Sequence, residues 1–407
     1  MRGRSRFGNP PHRSWIALLS LLLWGAGCNS SSSQPAPMAA GLPPVTPAGE
    51  SNSYWGTQGS NTTWQVAINH STNAFTAADL STPASGTIAG FFSIQNPTNF
   101  LSLAQSNVSP PFQQFGYALE IQGRALLLRP GDNLTSLAAL VPGSCLNING
   151  AVTFQFVALP DATWAAGTDP AYGRLKVATS GNTWNFANFA QVTLGSSALT
   201  TATVPAGTCA THGNSAEVSV SSQPPATIAV GPSGYFVAQR LVSQQSSVPQ
   251  FGAVGVIQPS ASLNTSSVAG GDYFGFIYEP AVVASPSTCT SFCLAPTQMV
   301  QFANTTCPSG TTPPSTGICG GTFQNDVISS LSNDMLLNLG GQDPTEFGLY
   351  KSASIQIPDP LEVCSSTGTC TLPAVAVAGN AEGNFSIFLI AQDTVNDSPM
   401  VIALFQQ

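Results

Sequence analysis

The sequence reads Thr-Ile-Ala-Val-Gly at residues 227–231, Tyr-Phe-Val-Ala-Gln at 235–239 and Phe-Gly-Ala-Val-Gly-Val-Ile-Gln at 251–258. The same order of three short apolar segments, the second ending in Ala-Gln, recurs at residues 87–122 and 374–406. The Ala-Gln dipeptides of the three copies end at Gln105, Gln239 and Gln392, which are 134 (239 − 105) and 153 (392 − 239) residues apart. Self-similarity at long intervals indicates repeated structural units. We therefore predict three diverged copies of one β unit.

Alternation of apolar and polar residues predicts that the units are antiparallel sheets. Trp64–Ile68 and Phe75–Asp79 alternate on either side of a polar turn, as strands of a hairpin with one buried face do. The 38 Gly and 32 Pro leave few windows for helices, and only residues 325–339 have apolar residues at a helix-like spacing. The fold class is all-β. A Tyr near the start of each unit divides the folded part, 54–407, into units at about 54–171, 172–272 and 273–407.

Two architectures fit this meander. Residues 228–239, a small apolar strand, a Pro-Ser-Gly turn and an aromatic strand, resemble the hairpin of NHL-type β-propeller repeats. That resemblance implies a closed propeller-like ring, in which the C-terminal strand at Met400–Phe405 lies beside the N-terminal strand at Tyr54. Closure removes the unpaired sheet edge. Two or three consecutive up-and-down β-barrels are the alternative.

The N-terminus has the features of an export signal. Residues 1–13 contain four Arg and no acid, and the largely apolar run at 15–24 is too short to span a membrane. Gly25-Ala26-Gly27-Cys28 resembles the lipobox of bacterial lipoproteins. The resemblance implies a signal peptide at 1–27, a lipid on Cys28 and, because Asn29 follows, sorting to the outer membrane. Residues 28–53 are expected to form a flexible Ser/Pro/Ala-rich tether.

Ordinary signal cleavage would also accept the small residues Gly25 and Gly27, and the cysteine count separates the two readings. Removing Cys28 from nine Cys leaves eight, an even number suited to disulfides in an oxidising compartment. Spacing favours Cys364 with Cys370, Cys145 with Cys209, and two bridges among Cys289, Cys293, Cys307 and Cys319. A zinc site in that last group is disfavoured because Cys307 and Cys319 have eleven residues between them.

Charge excludes several partners. The chain after residue 27 keeps all 18 acids and six bases, so its net charge is 6 − 18 = −12. Nucleic acids and anionic lipid headgroups require clustered Lys and Arg, so neither is expected as a partner. The protein is expected to contact the membrane only through its N-terminal lipid. The expected ligand is an envelope protein or a glycan. The six bases are Arg124, Arg129, Arg174, Lys176, Arg240 and Lys351.

No catalytic motif is found. Gly-X-Ser-X-Gly, Ser-X-X-Lys, His-Glu-X-X-His and phosphate-binding Gly-rich patterns do not occur, and His70 and His212 are both expected in loops. We expect no catalytic residues, cofactor or metal, and a non-catalytic β scaffold for binding or surface structure. Two alternatives stay open. One is a glycan-active hydrolase using paired carboxylates among Asp272, Glu279, Asp343 and Glu346.

The other alternative is a Ca²⁺-dependent adhesion module. Residues 393–397, Asp-Thr-Val-Asn-Asp, place oxygen ligands in one turn, but without the Gly and distal Glu of an EF-hand loop. Four Trp could stack on sugars, although packing is the commoner role of such residues. They are Trp55, Trp64, Trp164 and Trp184.

Overall fold

A computed structural model describes most of the chain from residue 51 onward. The described residues are 51–407 except 60–61, 82–85, 97, 107, 109–110, 132–135, 161–169, 213–214, 221–225, 241–251, 280–296, 305–306, 308–311, 324–326, 328–330, 360–361, 363, 365, 382 and 395–397. The predicted signal peptide, Cys28 and all of the tether except residues 51–53 lie outside them. Residues 51–53, expected in the tether, belong to the first strand.

The first barrel is a closed meander of eight antiparallel strands. Each strand pairs with the next, and the last pairs with the first at Trp55 and Val141, so that no edge is left open. The strands are β1 (Ser51–Gln58), β2 (Thr62–Asn69), β3 (Ala74–Asp79), β4 (Thr87–Gln95), β5 (Phe100–Gln105), β6 (Gln113–Ile121), β7 (Ala125–Pro130) and β8 (Ala138–Val141).

The second barrel has nine strands, of which eight close the ring. Strand β10 pairs with both β9 and β11, while β12 pairs with β11 alone. The strands are β9 (Ala151–Leu159), β10 (Ala171–Ser180), β11 (Thr183–Thr193), β12 (Leu199–Ala202), β13 (Gly207–His212), β14 (Ser215–Val220), β15 (Ala226–Val230), β16 (Tyr235–Gln239) and β17 (Gly252–Ile257). The disulfide Cys145–Cys209 ties the segment before β9 to β13.

The third barrel again closes with eight strands, because β18 pairs with β25 from Tyr273 to Tyr278. The strands are β18 (Tyr273–Tyr278), β19 (Thr297–Phe302), β20 (Gly317–Thr322), β21 (Met335–Asn338), β22 (Leu349–Pro358), β23 (Thr369–Ala381), β24 (Asn384–Asp393) and β25 (Ser398–Gln406). Disulfides Cys307–Cys319 and Cys364–Cys370 lie here. Spacing favoured the pairs Cys145–Cys209 and Cys364–Cys370; Cys289 and Cys293 lie outside the described residues.

One helix, α1 (Thr265–Ala269), precedes the third barrel. Asn264 caps it by accepting a hydrogen bond from the amide of Ser267 at 3.2 Å, and Val268 and Ala269 enter the core of the third barrel. In the described part of the chain, no helix has the length and apolar character of a membrane span.

One continuous apolar core joins the barrels; it includes the interior of the second barrel and lies outside the interiors of the first and third. In β7, Leu126 and Leu128 face the interior of the first barrel, whereas Ala125 and Leu127 belong to the shared core. Phe100 of the first barrel meets Phe276 of the third edge-on, with ring centroids 5.4 Å apart. Strands buried on both faces need apolar residues at every position. This explains why β7, β18, β24 and β25 read as nearly unbroken apolar runs.

The second and third barrels pack closely against each other. Tyr235 of β16 hydrogen bonds through its hydroxyl to Ser386 of β24, and its ring lies 5.6 Å from that of Phe405. Gly379 of β23 has no room for a side chain, because an added Cβ would lie 2.3 Å from a methyl group of Val256. The relative position of these two barrels is therefore determined by direct side-chain contacts.

The all-β prediction is confirmed, and the architecture is the barrel alternative. The single ring is wrong, because β25 pairs with β18 and β1 pairs with β8. The hairpin at residues 228–239 does form, as β15–β16, but inside a barrel. Because the first and last strands of the folded chain each pair within their own barrel, they do not need to pair with each other.

Three finer expectations are also corrected. The unit boundary at 171/172 falls inside the second barrel, because β9 pairs with β10. The second and third sequence copies are the last three strands of their barrels, but the first copy is β4–β6, with two more strands following. The helix-like spacing at 325–339 ends in β21, whose residues alternate between buried and half-buried positions.

Candidate functional site

The candidate functional site is a groove between the second and third barrels. Two adjoining cavities of about 450 and 490 Å³ share Tyr172, Ser196 and Lys351. One wall is the outward face of β9–β11. On β10, Leu175 and Val177 point into the barrel core, so Tyr172 and Arg174 face outward. The other wall comes from the third barrel, from residues 346–354 and from β23.

The turn at Asp343 belongs to the third-barrel wall. The Oδ1 atom of Asp343 accepts hydrogen bonds from the amides of Thr345 at 2.8 Å and Glu346 at 2.9 Å. Asp followed by Pro344 is a typical turn start, because Pro has the backbone angle that the next position needs. Gly348 closes the loop with φ +85°, where an added Cβ would lie 2.4 Å from the carbonyl oxygen of Ala378. The sequence thus brings Glu346 close to the second barrel.

Four charged side chains meet at the groove. Lys351 Nζ lies 2.7 Å from Asp343 Oδ2 and 3.1 Å from Glu346 Oε2, and Arg174 pairs with Glu346 Oε1. Two of the six bases after residue 27 are therefore here, with two acids. Their formal charges cancel, so this cluster adds no net charge to the groove.

The pKa shifts of Asp343 and Lys351 both favour the charged form. The hydrogen bond from Lys351, helped by the amides of Thr345 and Glu346, holds the pKa of Asp343 well below its usual range. Partial burial opposes ionisation of Lys351, but its hydrogen bonds to Asp343 and Glu346 raise its pKa. A general acid needs a raised carboxyl pKa, so Asp343 is unsuited to protonate a leaving group.

Gln155 is the most informative residue in the groove. It lines the smaller cavity and is 2% exposed, yet neither its Nε2 nor its Oε1 has a hydrogen-bond partner among the described residues. Buried amides normally have partners, because an unpaired buried polar group costs about 1–3 kcal/mol. A carboxamide offers one donor group and one acceptor side by side, which suits a ligand that presents both.

The structure does not assemble the four predicted carboxylates. Asp343 and Glu346 share one turn, and Asp272 precedes β18 at the same end of the third barrel. Glu279 follows β18 at the opposite end, beside Asp393 at the end of β24. Glu279 is 1% exposed and Asp393 is fully buried. Burial, and then the nearby Asp393 carboxylate, raise the pKa of Glu279.

The other predicted sites have separate outcomes. Asp393 ends β24 as a buried residue, and residues 395–397 of the proposed Ca²⁺ turn lie outside the described part. Within the described residues, no group of three His, Cys, Asp or Glu could hold a metal ion. Trp55, Trp64 and Trp184 are buried, while Trp164 is not described. His212 ends β13 instead of lying in a loop.

Sequence reasoning missed a polar cluster in the first barrel. His70, in the β2–β3 turn as expected, places Nε2 2.6 Å from Glu120 Oε2, and its ring meets Phe92 edge-on. The Tyr54 hydroxyl donates to the other oxygen of Glu120. Burial, and then Glu120, raise the pKa of Tyr54 well above its usual value. The signal was an acid, Glu120, one residue before the end of β6, in the largely apolar run from Phe115 to Ile121.

Comparison with known proteins gives only distant structural similarity. No protein-family model matches the chain, and no curated protein matches it in sequence. Among solved structures, a double mutant of transferrin binding protein B (TbpB) from Haemophilus parasuis Hp5 aligns with a TM-score of 0.24 and 8% identity, over 91% of this chain and 77% of that one. A single mutant of that protein aligns with a TM-score of 0.26 and 8% identity.

Intact Ap-TbpB, with its N and C lobes, aligns with a TM-score of 0.23 and 8% identity. This chain spans 66% of the length of the single mutant and 66% of Ap-TbpB, with 85% of its own residues aligned to each. Scores this low carry no conclusion about function. The chemistry of the groove must therefore be judged from the residues of this protein.

Proposed function

We propose that this protein is an exported, lipid-anchored protein of the cell envelope that binds a ligand in the groove between its second and third barrels. It performs no bond-making or bond-breaking step. Cys28 carries the lipid, the tether extends to β1, and the three barrels form the scaffold. The outer membrane is the proposed location, from Asn29 and the lipobox resemblance.

The observation that carries the proposal is the unpartnered amide of Gln155 at a groove with balanced charges. Arg174, Lys351, Asp343 and Glu346 already pair with one another. They are positioned to donate to or accept from a neutral ligand without losing charge balance. Asp343 is held ionised, so the acid–base pair that a hydrolase needs is not supported at this turn. Binding is the chemistry that these residues support best.

The binding proposal is tested with the full mature protein on a neutral-glycan array and a displayed library of random peptides. We expect ligands whose affinity falls about tenfold or more in Gln155→Leu. The Leu side chain is similar in size to Gln but has neither the donor nor the acceptor of the amide. Lys176→Met is the matched control. Lys176 lies on the same strand as Arg174 but outside the groove lining, so affinity should stay unchanged. Ligands that bind Gln155→Leu with unchanged affinity would contradict the proposed site.

The anchor is tested separately by intact mass and cell fractionation. The processed protein should begin at Cys28 and carry the added mass of a diacylglycerol group and fatty acid. Cys28→Ser should release it from the membrane fraction. An unmodified mature N-terminus would refute the anchor and leave the groove unaffected.

A further inference from the structure

Strand β12 differs from every other strand in the described part of the chain. The other 24 strands each pair with at least two neighbours, whereas β12 pairs only with β11, from Val192↔Leu199 to Phe189↔Ala202. No other described strand pairs with its outer edge. Among the described strands of the three barrels, this edge is the exception.

The chemistry of this edge suits another strand. In an antiparallel pair, alternate residues direct their N–H and C=O groups toward the partner and the others direct them away. Two of the four residues of β12 therefore present a donor and an acceptor outward. Proteins usually protect such edges with Lys, Pro or a covering segment. Here the residues are Leu199, Thr200, Thr201 and Ala202, uncharged and favourable for strands, and Leu199 is 56% exposed.

This edge, which no described strand covers, adjoins the groove. Leu199 lines the same cavity as Gln155, Arg174 and Glu346. A strand lying along β12 would direct alternate side chains to the face that carries this cavity. Because the groove charges cancel, the matching segment is one without net charge.

We propose that β12 receives an extended, uncharged segment of a partner polypeptide as an added antiparallel or parallel strand, with alternate side chains entering the groove. This inference rests on the proposed binding function and names the class of its ligand. Strand addition supplies affinity through main-chain hydrogen bonds and selectivity through the side-chain positions.

The experiment selects peptides from a displayed random library on the full mature protein and measures them by calorimetry and hydrogen exchange. We expect bound peptide to slow exchange in residues 199–202. N-methylation of alternate peptide residues should weaken binding at least tenfold, because it removes the donors of the added strand. A neutral-glycan array is tested in parallel.

Variants of β12 supply the second measurement. Thr200→Pro and Thr201→Pro are both made, because one of these amides points toward β11 and the other points away. The outward one should keep the wild-type unfolding midpoint and lose at least tenfold in peptide affinity. Thr200→Val and Thr201→Val, which keep the amide, are the matched controls and should bind as wild type. If both prolines destabilise the barrel, N-methylation still decides.

Three results would overturn strand addition. One is peptide binding that neither protects residues 199–202 nor responds to N-methylation. Another is glycan binding that depends on Gln155 with no peptide selected, which would leave the proposed function standing. The third is a dimer that the outward proline converts to monomer, which would show that β12 pairs with a second copy. If neither glycans nor peptides depend on Gln155, the proposed function itself fails.

Discussion

The contact between Tyr235 and Ser386 allows a direct test of how firmly the second and third barrels are joined. The Tyr235 hydroxyl and the Ser386 hydroxyl are both fully or almost fully buried and hydrogen bonded to each other across the junction. The groove depends on the alignment of these barrels. We therefore predict that removing either partner destabilises the whole assembly, and that removing both does not add the two losses.

The magnitude follows from burial. Tyr235→Phe leaves the Ser386 hydroxyl unpaired in a dry environment, and Ser386→Ala leaves the Tyr235 hydroxyl in the same condition. Each single change should lower the free energy of unfolding by about 1–3 kcal/mol. The double variant leaves no orphaned hydroxyl, so its loss should be smaller than the sum, with a coupling energy of about 1–2 kcal/mol. Tyr235→Ala also removes the ring and should cost about 3–5 kcal/mol.

Urea unfolding followed by tryptophan fluorescence and circular dichroism measures these losses. Burial raises the pKa of Tyr235 to about 12, so the coupling should be the same at neutral and mildly alkaline pH. Tyr273→Phe is the control, because the Tyr273 hydroxyl donates to the Val268 carbonyl within the third-barrel unit at 2.7 Å. Ser386→Ala should therefore cost less in the Tyr235→Phe background than in the Tyr273→Phe background. Strictly additive losses for Tyr235 and Ser386 would refute the junction described above.

Other expectations concern a buried acid, a polar cluster and a close-packed turn. Because burial raises the pKa of Glu279, the folded state holds that proton more tightly than the unfolded state, and stability is lost as pH rises above the usual glutamate range. Glu279→Gln should thus stabilise the protein increasingly from acidic to alkaline pH, and urea midpoints that differ equally at all pH values would contradict this. Glu120→Leu removes the acceptor of buried donors and should cost about 1–3 kcal/mol in urea unfolding, more than Glu120→Gln. Gly348→Ala should lower the free energy of unfolding by more than the backbone cost of about 1–2 kcal/mol for a side chain at positive φ. Gly150→Ala has the same φ of +85° and no atom within 4 Å of the added Cβ, so it should show the backbone cost alone. Equal losses in the two variants would argue against the close contact at Gly348.

Strand periodicity predicted the fold class and one hairpin. The pair β2–β3 lies where the alternation of Trp64–Ile68 and Phe75–Asp79 about a polar turn predicted it. What failed was the assignment of partners for the terminal strands. A meander has the same local pattern whether it closes into one ring or three, because closure pairs residues far apart in the chain. The strands β8 and β25 show no local sign of which strand they will meet.

The candidate site was only partly visible in the sequence. Asp343 and Glu346 were selected as acids, yet their partners Lys351 and Arg174 come from other elements, and Arg174 lies in another barrel. In the sequence, Arg174 is only one of the six bases, and nothing there shows which residue it would face. Gln155 had no signal at all, because one amide in a strand resembles any surface residue.

The sequence by itself determined that the folded chain is antiparallel sheet in three units, because side-chain alternation and turn chemistry act between neighbouring residues. Only the tertiary structure decided that each unit closes on itself, that strands such as β7 are buried on both faces, and that no described strand covers the outer edge of β12. These features depend on which distant surfaces exclude water from one another. That choice is made by packing over the whole molecule, and no short stretch of residues encodes it.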